Sequence, residues 1–245
     1  MKRQNVRKLT LLISFLIFPI TLYYMSPYLI IMGGITGLVS GSFIVFIVQF
    51  ITSLFFGRAF CAWICPAGGL QECCTMAVNK KVSKKARYIK YVIWVPWLIT
   101  IVLLFIKAGG IKSIDFFLFT KYGISVTDMG GIIMYFAIIT LFVILALTVG
   151  RRGMCHTICW MSPFMILGTK IKNALHIPSF HLKAEPTKCI DCGKCTKNCP
   201  MSLEVNEMVR SDKMNHSECI LCLECVDNCP KKAIHFKVGV PYTKE

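Results

Sequence analysis

Eight of the fourteen cysteines fall into two copies of one closely spaced motif in the last quarter of the chain. Each copy has the spacing C-x2-C-x2-C-x3-C and is followed by a proline. The first motif is Cys189, Cys192, Cys195 and Cys199, and the second motif is Cys219, Cys222, Cys225 and Cys229. This spacing is typical of proteins that bind two [4Fe–4S] clusters, in which the fourth cysteine of each motif ligates the other cluster.

Reach is the physical reason for crossed ligation. Three cysteines on a tight loop can hold three corners of a cubane, and a separate segment must supply the fourth. We therefore predict Cys189, Cys192, Cys195 and Cys229 for one cluster, and Cys219, Cys222, Cys225 and Cys199 for the other. Zinc is the alternative, because C-x2-C pairs also bind zinc. Four cysteines in each motif, the proline after each fourth, and the doubled copy favour clusters.

Four further cysteines form two C-x3-C pairs in the hydrophobic part of the chain. Cys61, Cys65, Cys155 and Cys159 are here called the edge cysteines. They belong to an internal repeat, in which Arg58, Cys61, Ile64 and Cys65 align with Arg152, Cys155, Ile158 and Cys159. The repeat predicts a duplicated helical hairpin, with each pair on one side of a helix that leaves the membrane.

Three roles are open for the edge cysteines. They could hold a third cluster or another soft metal, act as redox-active thiols, or be small buried residues in a tight helix crossing. Cys73 and Cys74 lie outside the repeat, and the sequence assigns them no role. No catalytic residue is identified.

Long uncharged segments predict the elements that position these cysteines. Residues 9–57 and 129–150 contain no charged side chain, and about 20 apolar residues are enough to cross a bilayer. We predict a membrane all-α domain over 1–170, with four spans near 9–30, 35–56, 88–107 and 129–149. A linker over 171–187 then leads to an α+β ferredoxin-like domain with two [4Fe–4S] clusters over 188–245.

The net charge of +16 indicates membrane orientation rather than nucleic-acid binding. Residues 1–187 carry nineteen Lys and Arg against four acidic residues, whereas 188–245 carry nine against eight. Basic loops lie on the cytoplasmic side of inner membranes. This predicts a multi-pass protein of the cytoplasmic membrane with both termini cytoplasmic, where the thiolate ligands remain reduced. No nucleic-acid partner is expected.

Two absences narrow the function. No histidine lies within a predicted span, so a bis-histidine haem is excluded, and no charged residue lies mid-span, which disfavours ion pumps and transporters. Trp63, Trp160 and Gln49 are candidate quinone neighbours by position alone.

The whole pattern resembles a known family. C-x3-C pairs at two inner helix ends, followed by two ferredoxin motifs, are similar to the polyferredoxin-like 4Fe–4S membrane proteins. Within that family the chain resembles the quinol dehydrogenase membrane component of periplasmic nitrate reductase systems. Gly57, Arg58, Cys61, Cys65 and Pro66 fit the family's C-x3-C-P motif. The second pair departs from it, with Trp160 where the proline would stand and a proline only at Pro163.

The resemblance implies an electron-transfer subunit. Electrons would pass between a membrane donor, menaquinol or ubiquinol, and a redox partner protein by way of the clusters. The alternative is an accessory or maturation protein that reduces a metal ion or a thiol during assembly of a partner metalloenzyme, with the edge cysteines as the working groups. A third possibility, a plain membrane anchor for a ferredoxin, predicts that the edge cysteines are dispensable.

Overall fold

The apolar two thirds of the chain fold almost entirely into helices. The computed structural model describes residues 2–240. The helices of this part are α1 Lys2–Leu16, α2 Phe18–Thr21, α3 Pro27–Thr36, α4 Gly41–Phe56, α5 Ala59–Trp63, α6 Pro66–Cys74, α7 Ile89–Lys107, α8 Met129–Thr148, α9 Gly153–Thr157 and α10 Met161–Ala174. Single 3-10 turns cover Tyr23–Met25 and Lys85–Tyr88. Strands β1 Leu38–Ser40 and β2 Ser113–Asp115 pair in parallel, with Leu38 opposite Ser113.

Two of the four predicted spans are single helices long and apolar enough to cross a membrane. One is α7 together with the 3-10 turn before it, and the other is α8. Val92 and Ile106 on α7, and Ile133 and Phe136 on α8, are more than half exposed. Helices that leave such side chains uncovered suggest a protein that lies in a membrane.

The other two predicted spans are not continuous helices. The first begins earlier than predicted, at Lys2, and is interrupted before Pro19 and again at Ser26, which is extended ahead of Pro27. Prolines lack the N–H that would continue the ladder. The second is divided at Gly37, whose φ of 76° ends α3 in the left-handed region. The helix α4 that follows has 16 residues.

The two halves of the internal repeat have the same local structure, 94 residues apart. Helices α5 and α9 each have five residues. Phe60 O accepts from the N–H groups of both Ile64 and Cys65, as Met154 O does from Ile158 and Cys159. The helices exchange partners: α4, before the first pair, packs on α10, after the second, whereas α8 packs on α6.

The C-terminal part is a small α+β unit. Its helices are α11 Lys194–Lys197, α12 Val205–Arg210 and α13 Glu224–Asp227. Strand β3 Ser179–Ala184 pairs antiparallel with β4 Ile234–Gly239, with Ala184 opposite Ile234. Residues 171–187, predicted as a linker, instead contain the end of α10 and all of β3, so this unit begins before residue 188. Residues 241–245 of the predicted domain lie outside the described residues.

The crossing of α4 and α10 depends on Gly168. A Cβ at this position would overlap Ser53 Oγ and lie 3.0 Å from Phe50 O. We expect Gly168→Val to lower the free energy of unfolding by about 1–3 kcal/mol, measured as a lower thermal midpoint in detergent. Gly130→Ala in α8 is the control, because its Cβ would meet only Asp128 Oδ2 at 3.5 Å. Equal midpoints for the two variants would contradict this packing.

Candidate metal centres

The first predicted ligand set lines one cavity of the C-terminal unit. Cys189, Cys192 and Cys195 of the first motif meet Cys229 of the second motif there. We call this the first cavity. Its remaining walls come from apolar and neutral side chains together with Lys188 and Lys231.

A second cavity gathers the complementary set. Its cysteines are Cys199, Cys219, Cys222 and Cys225. Side chains such as Met201, Leu203 and Ile220, all nearly fully buried, close it off from water. The fourth cysteine of each motif therefore lies in the cavity of the other motif, which is the arrangement that crossed ligation requires.

The loop of each motif is wound in the same unusual way. Asp191 and Gly193 in the first motif, and Leu221 and Leu223 in the second, have φ between 50° and 65°. Leucine in the left-handed region costs roughly 1–3 kcal/mol per residue. Alternation of left- and right-handed residues turns successive backbone N–H groups to one side and forms a concavity suited to an anionic group. A thiolate-bound cluster fits this cradle.

Burial favours the protonated form of three thiols in the second cavity. It raises the pKa of Cys222 to about 12 and the pKa of both Cys199 and Cys219 to about 11. A thiolate is the metal-binding form, so a bound metal must displace these protons. Among the residues described, no three His, Cys, Asp or Glu side chains are close enough to hold a single metal ion. The four ligands of a [4Fe–4S] cluster lie farther apart than the ligands of one ion, because the cluster is larger.

The edge cysteines are all buried and lie together in the core beneath the C-terminal unit. Burial raises the pKa of Cys65, and the other three edge cysteines raise it further. The C-x3-C pairs do not lie on one side of a helix as predicted. Helices α5 and α9 end at Trp63 and Thr157, so the last cysteine of each pair follows its helix.

Buried arginines surround the edge cysteines in a crossed pattern. Arg152, from the second half of the repeat, donates to Cys61 O at 2.5 Å. Arg58, from the first half, donates to Ser162 Oγ at 2.8 Å. Both side chains are fully buried, and neither Nε has a partner among the described residues. The positive charge could stabilise thiolates or an anionic cluster.

Ion pairs bind the C-terminal unit to the helices. Glu218 contacts Arg58 and Lys90, each at 2.5 Å, and all three side chains are buried. Burial alone would raise the pKa of Glu218, but the two cations outweigh it and lower that pKa to about 2. Glu224 pairs with Arg7 at 3.0 Å, and Arg7 also pairs with Glu72. The sequence analysis did not predict this network. Position was the available indication, because Arg58 lies three residues before Cys61 and Glu218 directly precedes Cys219.

Residues near the edge cysteines, together with the start of α1, contact the backbone of the second cavity. Trp63, between Cys61 and Cys65, donates to Leu221 O at 3.1 Å. Arg151 donates to Cys199 O at 3.2 Å, and Gln4 donates to Cys222 O at 3.0 Å. The second cavity thus adjoins the segments that carry the edge cysteines, and both ferredoxin motifs contribute to the first and the second cavity.

An apolar cavity of about 580 Å³ lies among α3, α4, α7 and α10. Trp97 lines it and packs against Trp160 with 5.4 Å between ring centroids. Trp160 directly follows Cys159, so Trp97 and Trp160 connect the cavity with one of the edge cysteines. Gln49 is buried, and its amide has no partner among the described residues.

Two segments match families of iron–sulfur proteins. Residues 39–85 match a 4Fe-4S binding domain, which includes Cys61 and Cys65, and residues 181–230 match a 4Fe-4S dicluster domain, which includes both motifs. The second match begins within β3, in agreement with the domain boundary in the structure.

Three curated proteins illustrate the similarity. The Escherichia coli protein named "Putative electron transport protein YccM" is 25% identical over 195 residues, which cover 75% of this chain and 52% of that protein. Two uncharacterized Methanocaldococcus jannaschii proteins, MJ0749 and MJ0750, are 26% and 28% identical over 74% and 66% of this chain and over 69% and 66% of their own lengths. The chain spans about half the length of YccM. No solved structure matches.

Proposed function

We propose that this chain, whose two matched segments and relatives support membership of a polyferredoxin-like 4Fe–4S family, passes electrons between the quinone pool, or another membrane donor, and a redox partner. An electron-transfer role agrees with the 4Fe-4S domains and with the name of YccM. The observation that carries the proposal is that the segments of the edge cysteines contact the second cavity, which shares both ferredoxin motifs with the first cavity.

The residues named above would hold [4Fe–4S] clusters, which supply reversible one-electron transfer. Cys189, Cys192, Cys195 and Cys229 would hold one cluster, and Cys199, Cys219, Cys222 and Cys225 the other. Backbone groups of Leu221 and Glu224 hydrogen-bond to the thiols of Cys219 and Cys222. Glu218 and Trp63 fix the second motif against the helices, and the apolar side chains of the second cavity exclude water.

The edge cysteines are proposed to hold a third cluster. Arg58 and Arg152 add buried positive charge beside four buried thiols, which suits an anionic group. The alternative, redox-active thiols in an assembly factor, is less compatible with thiols whose pKa is raised by burial, since low-pKa exposed thiols react fastest.

The bilayer is the proposed location, with four membrane crossings and both termini on the cytoplasmic side. The beginning of α1 supports this topology, because Arg3 and Gln4 contact the C-terminal unit at Asp227 and Cys222. The apolar cavity beside Trp160 is large enough to take part of a quinone. Its walls are almost wholly apolar, so they would suit an isoprenoid tail.

Iron and acid-labile sulfide should distinguish these possibilities. We expect about twelve irons per chain in anaerobically purified protein, as for three cubanes. Replacing Cys61, Cys65, Cys155 and Cys159 with serine should leave about eight. Cys73→Ser with Cys74→Ser is the control and should not change the count. About eight irons in the native protein and in the fourfold variant would contradict a third cluster.

Quinol addition separates the two functions. In an electron-transfer protein, anaerobic menaquinol or ubiquinol should bleach the cluster absorbance, and the fourfold variant should bleach much more slowly. Copper or thiol reduction that is abolished by Cys61→Ala, without quinol-dependent bleaching, would instead favour the assembly role.

A further inference from the structure

Half of the acidic residues of the C-terminal unit pair with basic residues from the first part of the chain. Residues 188–240 contain seven Asp and Glu, and four of them pair with basic residues from the first 90 positions. These pairs are Glu204 with Lys81, Glu218 with Arg58 and Lys90, Glu224 with Arg7, and Asp227 with Arg3. The contact between the two parts of the chain therefore uses four of the eight acidic residues between Ser179 and Val240.

The first cavity has the opposite character. Its charged lining residues, Lys188 and Lys231, are both cations. Lys194 and Lys232 are also exposed beside it. Across residues 2–240, no ion pair involves Lys194, Lys231 or Lys232.

Nearby acidic residues do not fully neutralise the lysines of this face. Asp191, the acidic residue in the first-motif loop, already pairs with Arg210 at 3.2 Å and accepts from Asn206. Glu185 pairs with Lys188 and His235. Glu207 is exposed on α12, next to Asn206 of the cavity wall. Asp212 is also exposed, and its N–H donates to the carbonyl of Val209 in the cavity wall. Three unpaired lysines against these two acidic residues leave a net positive rim.

The same face brings the first cavity close to solvent. Cys192 is exposed, whereas Cys222 at the equivalent position of the second motif is buried. Ile190, beside Cys192, is 56% exposed. An apolar centre within a charged rim is the usual composition of a transient protein interface.

We propose that this face, centred on Ile190 and Cys192 and rimmed by Lys194, Lys231 and Lys232, docks a small soluble electron carrier with an acidic surface. The proposal rests on the electron-transfer function and adds the kind of partner and its place. One electron would pass between the centre in the first cavity and the carrier, so one is oxidised as the other is reduced. Charge complementarity would steer the encounter and weaken with salt.

An acidic flavodoxin and a basic c-type cytochrome are suitable probes. We expect detergent-solubilised full-length protein to bind the flavodoxin at low ionic strength, with a dissociation constant that rises about tenfold or more toward 0.5 M salt. Lys231→Glu with Lys232→Glu should weaken flavodoxin binding by a similar factor and create binding to the cytochrome. That gain cannot result from misfolding.

The matched control carries the same charge change elsewhere. Lys84→Glu with Lys85→Glu alters two exposed lysines before α7 and should leave flavodoxin binding unchanged. Flavodoxin binding that is equal in both double variants, or insensitive to salt, would overturn the proposed docking face.

Electron transfer is measured separately from binding, as the reoxidation rate of reduced flavodoxin. Binding that follows the expected pattern without electron transfer would leave the docking face in place and count against the proposed function. Iron content of each variant checks that the clusters are retained.

Discussion

Glu218→Ala is expected to lower the free energy of unfolding by about 3–5 kcal/mol, because it leaves Arg58 and Lys90 buried without a counter-charge. The carboxylate bridges two side chains that are both 0% exposed. For a chain of this size, such a loss corresponds to a decrease of roughly 6–20 °C in the thermal midpoint. The variant should also release the C-terminal unit, detected as faster proteolysis between α10 and β3.

Two companion variants make the test specific. Glu204→Ala removes the Lys81 pair, whose side chains are 38% and 51% exposed, and should cost only about 0–1 kcal/mol. Glu218→Gln keeps hydrogen bonding but loses the charge, and we expect an intermediate midpoint. If the free energy of unfolding of Glu218→Ala lies within about 1 kcal/mol of the native value, the buried pairs do not hold the two parts together.

Crossed ligation leads to the second large effect. Cys199→Ser should remove about four irons or shift the midpoint potential of the centre in the second cavity, and Cys222→Ser should give the same spectrum. The spectrum of Cys229→Ser should instead match that of Cys192→Ser. The reason is that Cys199 lies with the second motif, and Cys229 with the first. Electron paramagnetic resonance with redox titration distinguishes the two centres.

Cys74→Ser provides the control for this series. Cys74 is half-buried at the end of α6, away from both cavities, and its loss should leave iron content and both potentials unchanged. If Cys199→Ser matched Cys192→Ser in spectrum and potential, each motif would hold its own cluster and the crossed assignment would be wrong.

Spacing predicted which cysteines lie together, because short cysteine loops have few geometries. The sets that share a cavity are those expected from C-x2-C-x2-C-x3-C, and the 94-residue repeat appears as equal helices with equal hydrogen bonds. Helices α7 and α8 also lie at the predicted spans 88–107 and 129–149. Whether the two cavities bind the clusters assigned to them remains a prediction for the variants above.

Hydropathy could not locate the breaks in residues 9–57. Pro19, Pro27 and Gly37 interrupt the helix, although the composition stays apolar throughout. The strand β3 was missed because its partner β4 lies about 50 residues away, and the residues around β3 do not identify a partner at that distance. Alternation of Phe180, Leu182 and Ala184 with polar residues was the available indication.

The ion pairs are also non-local. Lys90 and Glu218 are 128 positions apart, and neither residue alone indicates a buried partner, since charged side chains are usually exposed. Only the folded structure brings Lys90, at the start of α7, into contact with Glu218, which precedes Cys219.

The exchange of helices between the two halves of the repeat bears on the origin of the chain. Because α4 packs on α10 and α6 on α8, a single hairpin would lack the helix that covers its own cysteine pair. Two identical copies related by a two-fold axis would supply it to each other, as in an isologous homodimer. The arrangement is what gene duplication and fusion of such a dimer would leave, and it explains why Arg58 and Arg152 each bind across to the opposite half. Gly68 and Ser162, equivalent positions in the repeat, are different neighbours for those arginines, so the two halves are no longer equivalent at the centre of the site.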